Sequence, residues 1–240
     1  MSDKVVLITG GRRGIGLACA LAFVREGYKV AVVAKSHDSG ELPKEVFYFS
    51  GDLTDWRRCG DWAVRKVVKK FGRIDVLVNN AGMQQFAPAL DYKHWRFEKD
   101  VALMQFAPLD QAAEAAKYMI KQGGGKIINI SSIAGIQGTR NCIGYSMCKA
   151  ALIEMTKCLS NELAPKNIQV NAVAPGYIVT DMLETLINDR PHAFEIRGRI
   201  PYGKFGTPFQ VTGAVLFLAS DASDYITGVT LPVDGGWLAR

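Results

Sequence analysis

The sequence predicts an α/β fold, a single doubly wound Rossmann-type domain spanning 1–240 around a mostly seven-stranded parallel sheet. Three observations carry this. Short apolar runs rich in Val and Ile recur at 4–8, 30–34, 46–49, 74–78, 126–130, 168–173 and 229–233, and such continuous runs suit strands buried on both faces. The stretches between them are long enough for crossover helices, which parallel neighbours require. No repeat, low-complexity tract or linker interrupts the 240 residues, so one sheet absorbs every run.

Taken in order, the first run, Val5-Val6-Leu7-Ile8, leads into Thr9-Gly10-Gly11-Arg12-Arg13-Gly14-Ile15-Gly16. This is the order strand, glycine turn, helix start, which lets main-chain N–H groups approach a pyrophosphate at a helix N-terminus. Residues 15–26 are mostly apolar and stop at Gly27, as a helix buried against a sheet would. At the end of the second run, where a dinucleotide-binding chain usually places an acid on the adenosine ribose, the sequence reads Ala34-Lys35-Ser36. With no carboxylate at that position and with Arg12 and Arg13 in the glycine loop, the cations and the Ser36 hydroxyl suit a 2′-phosphate, so the cofactor expected is NADP(H). The alternative is that Asp38 folds back onto the ribose and the basic residues are simply exposed.

Asp52-Leu53 follows the third run, and Asn79-Asn80-Ala81-Gly82 ends the fourth, at the carboxyl edge where open α/β sheets bind ligands. After the fifth run come Ser131-Ser132, then Tyr145 and Lys149. Four residues apart, a tyrosine and a lysine share one helix face about 6 Å apart along the axis, so both can reach one pocket. A phenol that moves protons near neutral pH needs a cation to favour its phenolate, and Lys149 supplies one.

Together these motifs, with Ser132 thirteen residues before Tyr145 and Pro175-Gly176 after the sixth run, resemble the short-chain dehydrogenase/reductase family across essentially the whole chain. The resemblance implies an NADP(H)-dependent carbonyl reductase or alcohol dehydrogenase. It makes Tyr145 the general acid or base, Ser132 the partner of the reacting oxygen, and Lys149 a holder of the nicotinamide ribose. It also puts Asp52 and Leu53 near the adenine, has Asn80, Ala81 and Gly82 line the cofactor, and has Pro175, Gly176, Ile178 and Thr180 position the carboxamide end. Asn79 and Ser131 are structural in this reading. A substrate lid is expected over 181–208, with His192 at the surface and candidate substrate contacts at Gln84, Gln85, Phe86, Gln137, Arg140, Asn141, Tyr177 and Phe194. The family commonly forms tetramers, with a dimer second, and the tail Asp234–Leu238 resembles one that packs near such contacts.

One departure stands out. The family usually carries an asparagine in the helix after the fourth strand; that position falls at Ala102, and no asparagine occurs from Ala81 to Ile128. Gln105, one turn later, is the nearest amide. Either water and main chain complete the proton relay there, or catalysis is weakened and the chain is a regulatory NADP(H) sensor.

Composition excludes several other classes. Five scattered cysteines without a Cys-x-x-Cys pair and only three histidines indicate neither a disulfide framework nor a metal site, and fit a cytoplasmic protein. No apolar run approaches a membrane span and no export signal precedes the first strand. The net charge of +6 raises nucleic acid as a partner, but Lys66, Lys69, Lys70 and Arg73 alternate with Val67, Val68 and Phe71 as a solvated helix face does. The partner expected is a small carbonyl or alcohol molecule.

Overall fold

Val5–Thr9 (β1) is buried along its whole length, because a strand flanked on both sides and covered on both faces has no solvated edge. In the computed structural model, which describes residues 3–184 and 188–240, it pairs in parallel with Lys29–Ala34 (β2) and Val76–Asn79 (β4). The remaining strands are Phe47–Ser50 (β3), Gly125–Ile130 (β5), Ile168–Pro175 (β6) and Thr230–Val233 (β7). They form one sheet in the order β3-β2-β1-β4-β5-β6-β7, every pair parallel. Each strand overlaps a predicted apolar run. The fourth starts two residues late, since the main chain at Ile74 is bonded to the Gln122 amide in both directions instead of joining the ladder.

Alternate residues of β1 enter opposite cores. Val5 and Leu7 pack with Trp62–Phe71 (α3), Ala107–Gln122 (α5) and Ile143–Leu163 (α6); Val6 and Ile8 pack with Gly14–Arg25 (α1) and Pro208–Ala219 (α8). Helix α1 stops at Gly27, whose φ of +78° is the left-handed region that glycine adopts at little cost. Short α2 (Trp56–Cys59) precedes α3, and α7 (Arg190–Arg199) lies in the stretch expected to form a lid, of which 185–187 fall outside the described residues.

Between β4 and β5 the helix α4 (His94–Val101) runs into α5 through a π turn, Ala102–Phe106, in which Ala107 N–H reaches back five residues to the Ala102 carbonyl. The strand order reverses between β1 and β4, so a crevice opens beyond Thr9 and Asn79, the usual ligand position in such sheets. No described helix is long and apolar enough to cross a membrane.

Candidate active site

Thr9 stitches the two sides of that crevice. Its hydroxyl accepts the N–H groups of Asn80 and Ala81, both at 3.0 Å, while the Asn80 amide donates to the Thr9 and Gly10 carbonyls at 2.9 and 3.1 Å. The closeness needs glycine: a Cβ on Gly16 would stand 2.5 Å from the Gly10 carbonyl, and one on Gly10 2.9 Å from Ala81 Cα. Helix α1 then begins with no side-chain cap from Arg13, leaving its first N–H groups open for an anion. A cleft of about 450 Å³ follows. Of the predicted cofactor contacts, Gly10, Arg12, Arg13, Gly14, Ile15, Lys35, Ser36, Asp52, Leu53, Asn80, Ala81, Gly82, Tyr145, Lys149 and Thr180 line it. Gly16, Pro175, Gly176 and Ile178 do not: Gly16 and Pro175 are buried, while Gly176 and Ile178 face a neighbouring cavity.

At the far end of the cleft Ala34-Lys35-Ser36 carries no acid, but aspartates from beyond it, Asp38 among them, meet the three cations. Asp38 engages Arg12 through Nε and Nη2, and also accepts bonds from Ser36 Oγ and Gly40 N–H. Arg12 pulls the Asp38 carboxyl down to about 2, with Ser36 assisting. Lys35 pairs with Asp52 at 2.8 Å and Arg13 with Asp181 at 3.0 Å. The three acids come from separate segments, and only the fold brings them there. Asp38 therefore faces Arg12 in this structure, and a phosphate entering here meets cations already held in place.

The reacting end is built on β5 and α6. Asn79 donates to Asn129, and Asn129 to Thr156, at 2.9 Å each, tying β4 and β5 to α6 through buried amides. Ser131 Oγ donates to the Lys149 carbonyl at 2.8 Å, a structural role as expected. Ser132 accepts Ala134 N–H at 3.1 Å and is hydrogen bonded to the Tyr145 hydroxyl. Buried Lys149 donates to the Ile130 carbonyl at 2.7 Å, with its Nζ 5.5 Å from the Tyr145 ring centre. Burial pushes the Tyr145 phenol up to about 12 against the Ser132 bond, and pulls the Lys149 ammonium down to about 8. Tyr145 is thus protonated at neutral pH and Lys149 mostly charged, and the pull on the phenolate expected of Lys149 does not offset burial, its Nζ being held by the Ile130 carbonyl.

A second cavity, about 340 Å³, meets the first at Tyr145, Ile15, Thr180 and Met182. Ser132, Gly176 and Ile178 line it, with Gln84, Phe86, Gln137, Arg140 and Tyr177 from the expected substrate set. Three expected contacts do not. Gln85 turns to the Met83 sulfur, Asn141 spends its left-handed backbone (φ +59°) and its carbonyl on the turn facing Ala87, and Phe194 is 70% exposed beside Arg197. His192, read as a surface residue, is on this cavity's wall although its side chain is half exposed. Trp237 is a larger surprise: the tail associated with subunit contacts sends its indole into the cavity wall, where Nε1 donates to Gln137 at 2.7 Å. A separation of a hundred residues leaves no local signal for that pair.

Ala102 opens the π turn, and Gln105 does not stand in for an amide at the site: it is bonded to the Cys148 thiol and lines neither cavity. Just upstream, fully buried Asp100 accepts the Tyr92 hydroxyl at 2.8 Å, and burial raises its pKa from the ordinary value. This pair presses on Gly144, where a Cβ would stand 1.8 Å from the Tyr92 oxygen.

The family model described as enoyl-(acyl carrier protein) reductase matches residues 10–238. Over 244 residues the chain is 40% identical to the 3-oxoacyl-[acyl-carrier-protein] reductase of Thermotoga maritima, covering 98% of each. It is 37% identical over 248 residues to the 2-dehydro-3-deoxy-D-gluconate 5-dehydrogenase of Dickeya dadantii, covering 100% of this chain and 97% of that one. Among solved structures, a gluconate 5-dehydrogenase from Burkholderia cenocepacia in complex with NADP and tartrate superposes with a TM-score of 0.92 at 30% identity, covering 100% of this chain and 97% of that chain. With its parallel sheet, glycine cradle and Ser132–Tyr145–Lys149 cluster, the chain belongs to the short-chain dehydrogenase/reductase family of oxidoreductases.

Proposed function

We propose that the protein interconverts a carbonyl and a secondary alcohol with NADP(H), Tyr145 moving the proton. The observation that carries this is the position of Tyr145 at the junction of the two cavities, hydrogen bonded to Ser132. The first cavity fits a dinucleotide: the close approach of Gly10 and Gly16 to neighbouring main chain holds the turn that brings α1 to the cleft, α1 presents open N–H groups there, and Arg12, Arg13 and Lys35 gather at one end. The NADP bound to the Burkholderia relative supports the choice of cofactor.

When bound, the cofactor supplies or removes the hydride. In reduction Tyr145 gives its hydroxyl proton to the substrate oxygen as that oxygen gains charge, and Ser132 holds the same oxygen by a hydrogen bond. Lys149, fixed by the Ile130 carbonyl, keeps a positive charge behind the phenol and steadies the phenolate left there. Reversal makes Tyr145 the base.

The chain works as one domain, with 181–208 as the lid over the second cavity. It acts in the cytoplasm as a homotetramer, a dimer being the second choice. Apolar Trp95, Phe106, Leu109 and Met147, left exposed on the helical layer of α4 to α6, support self-association. Replacement Tyr145→Phe tests the mechanism: NADPH binding by fluorescence titration stays near wild type, while turnover over a carbonyl panel falls about a hundredfold to ten-thousandfold. Retention of most of the turnover would assign the proton to another group.

A further inference from the structure

We infer that the second cavity selects a hydroxylated substrate carrying a carboxylate, with Arg199 as its anchor and Arg140 beside it; this rests on the reading of Tyr145 as the reacting end of that cavity. Four features of the wall converge. The guanidinium of Arg199 lies 4.3 Å from the centre of the Trp237 ring, and Trp237 is 7% exposed and stacked edge-on to Tyr177 at 4.9 Å. The tail beneath is fixed, because Asp234 accepts the N–H groups of Gly236 and Leu238, and Arg240 donates to the Arg199 carbonyl. A planar fork held on an aromatic face loses little freedom on meeting a carboxylate, which it binds with two parallel hydrogen bonds.

The second feature is charge balance. Among the described residues neither Arg140 nor Arg199 forms an ion pair, whereas Arg12, Arg13 and Lys35 in the neighbouring cleft each hold an aspartate. Glu195, the acid on the cavity wall, is directed to His192 at 4.0 Å. Both guanidiniums are exposed, so a carboxylate entering the cavity exchanges with water at donors that no acid among the described residues occupies.

Third, the Gln137 amide has a fixed sense. Indole N–H is a donor only, so the oxygen of Gln137 is committed to Trp237 and its NH₂ remains to donate. Fourth, Ser132 and Tyr145 present hydroxyls at the same cavity. The polar part of a wall that also carries apolar Phe86, Ile133, Ile178 and Ile196, namely two guanidiniums, an amide NH₂ and two hydroxyls, matches a substrate with several oxygens and an anionic end.

The experiment uses the full-length protein with D-gluconate and NADP as the carboxylate probe, D-glucitol as its neutral counterpart, and ethyl acetoacetate with NADPH as a carbonyl without carboxylate. Binding of D-gluconate to the NADP-loaded protein is followed in parallel by calorimetry. Wild type should prefer D-gluconate over D-glucitol in kcat/KM. In Arg199→Met the KM for D-gluconate should rise about ten- to a hundredfold more than that for ethyl acetoacetate, the loss of a charge-assisted hydrogen bond, with kcat moving far less. Arg199→Lys should restore part of the difference, and Arg140→Met should weaken D-gluconate in the same sense, which guards against a folding defect in one variant. Turnover of ethyl acetoacetate with no D-gluconate binding, or equal losses on both substrates, would overturn the carboxylate assignment and leave the oxidoreductase reading intact. No turnover of any compound, with D-gluconate binding that is lost in Arg199→Met, would sustain the assignment and overturn that reading.

Discussion

Gly144 sits one residue before Tyr145, where the catalytic helix meets a buried acid, and replacing it by alanine perturbs both stability and chemistry. The added methyl would occupy the position of the Tyr92 oxygen, 1.8 Å away, and stand 3.0 Å from Asp100 Oδ2. Tyr92 is half-buried and can swing outward, so the expected cost is the bond it leaves behind: fully buried Asp100 loses the hydroxyl donor on its Oδ2. A hydrogen bond to a charged or desolvated group of this kind contributes about 1.5–3 kcal/mol. At roughly 2–4 °C per kcal/mol for a chain of this size, the melting temperature should fall by about 3–12 °C. Thermal melting of Gly144→Ala, Tyr92→Phe and the double variant checks the argument, because the two changes remove one bond and their costs should not add. Turnover should drop along with stability as the start of α6 shifts Tyr145 relative to Ser132. A Gly144→Ala protein that melts with wild type, or a double variant whose loss is the sum of the single ones, would refute the role given to this contact.

Asp38→Asn separates the two cofactor readings, since asparagine keeps an oxygen for the Gly40 N–H and can meet the Ser36 hydroxyl through its NH₂, but removes the charge facing Arg12. NADPH affinity, measured by fluorescence titration, should rise about two- to fivefold, as befits an exposed pair; weaker NADPH binding, or NADH binding tighter than NADPH in the wild type and lost in the variant, would place Asp38 on the ribose instead. Lys149, pulled down by burial to about 8, is charged below that pH and neutral above it. The kcat/KM for carbonyl reduction should therefore hold level up to about pH 7 and fall through an inflection near 8, and Lys149→Met should be slow at all pH values without the inflection. A wild-type profile flat to pH 9.5 would remove Lys149 as the titrating group.

Sequence periodicity located the inner strands because their burial on both faces produces runs rich in Val and Ile, and the edge strands Phe47–Ser50 and Thr230–Val233, only partly buried, by their short apolar runs alone; the glycine spacing located the crevice because the backbone contacts at Gly10 and Gly16 leave no room for a Cβ. Tyr145 and Lys149 were equally legible, being one helical turn apart. Contacts between distant segments were not. Nothing near Lys35 announces Asp52 as its partner, and nothing near Gln137 announces Trp237; such pairs depend on how loops land after the sheet has formed. Gln105, the nearest amide one turn after Ala102, lies within the π turn and is bonded to Cys148, outside both cavities, which linear spacing alone did not show.

The same π turn has a consequence for inheritance. Successive residues of an α-helix are rotated by about 100°, and the one extra residue held between Ala102 and Phe106 sets the angular phase between the two halves of a rod running from His94 to Gln122. Upstream, that phase points Asp100 at Gly144; downstream, it points Met119 and Ala112 into the sheet core. A one-residue deletion here could be absorbed without breaking the rod, by reverting to ordinary α-helical winding, yet it would turn one half about its axis relative to the other. Length changes that a surface loop would tolerate would at this point dismantle the support of the catalytic helix, so the segment should evolve by substitution and keep its residue count.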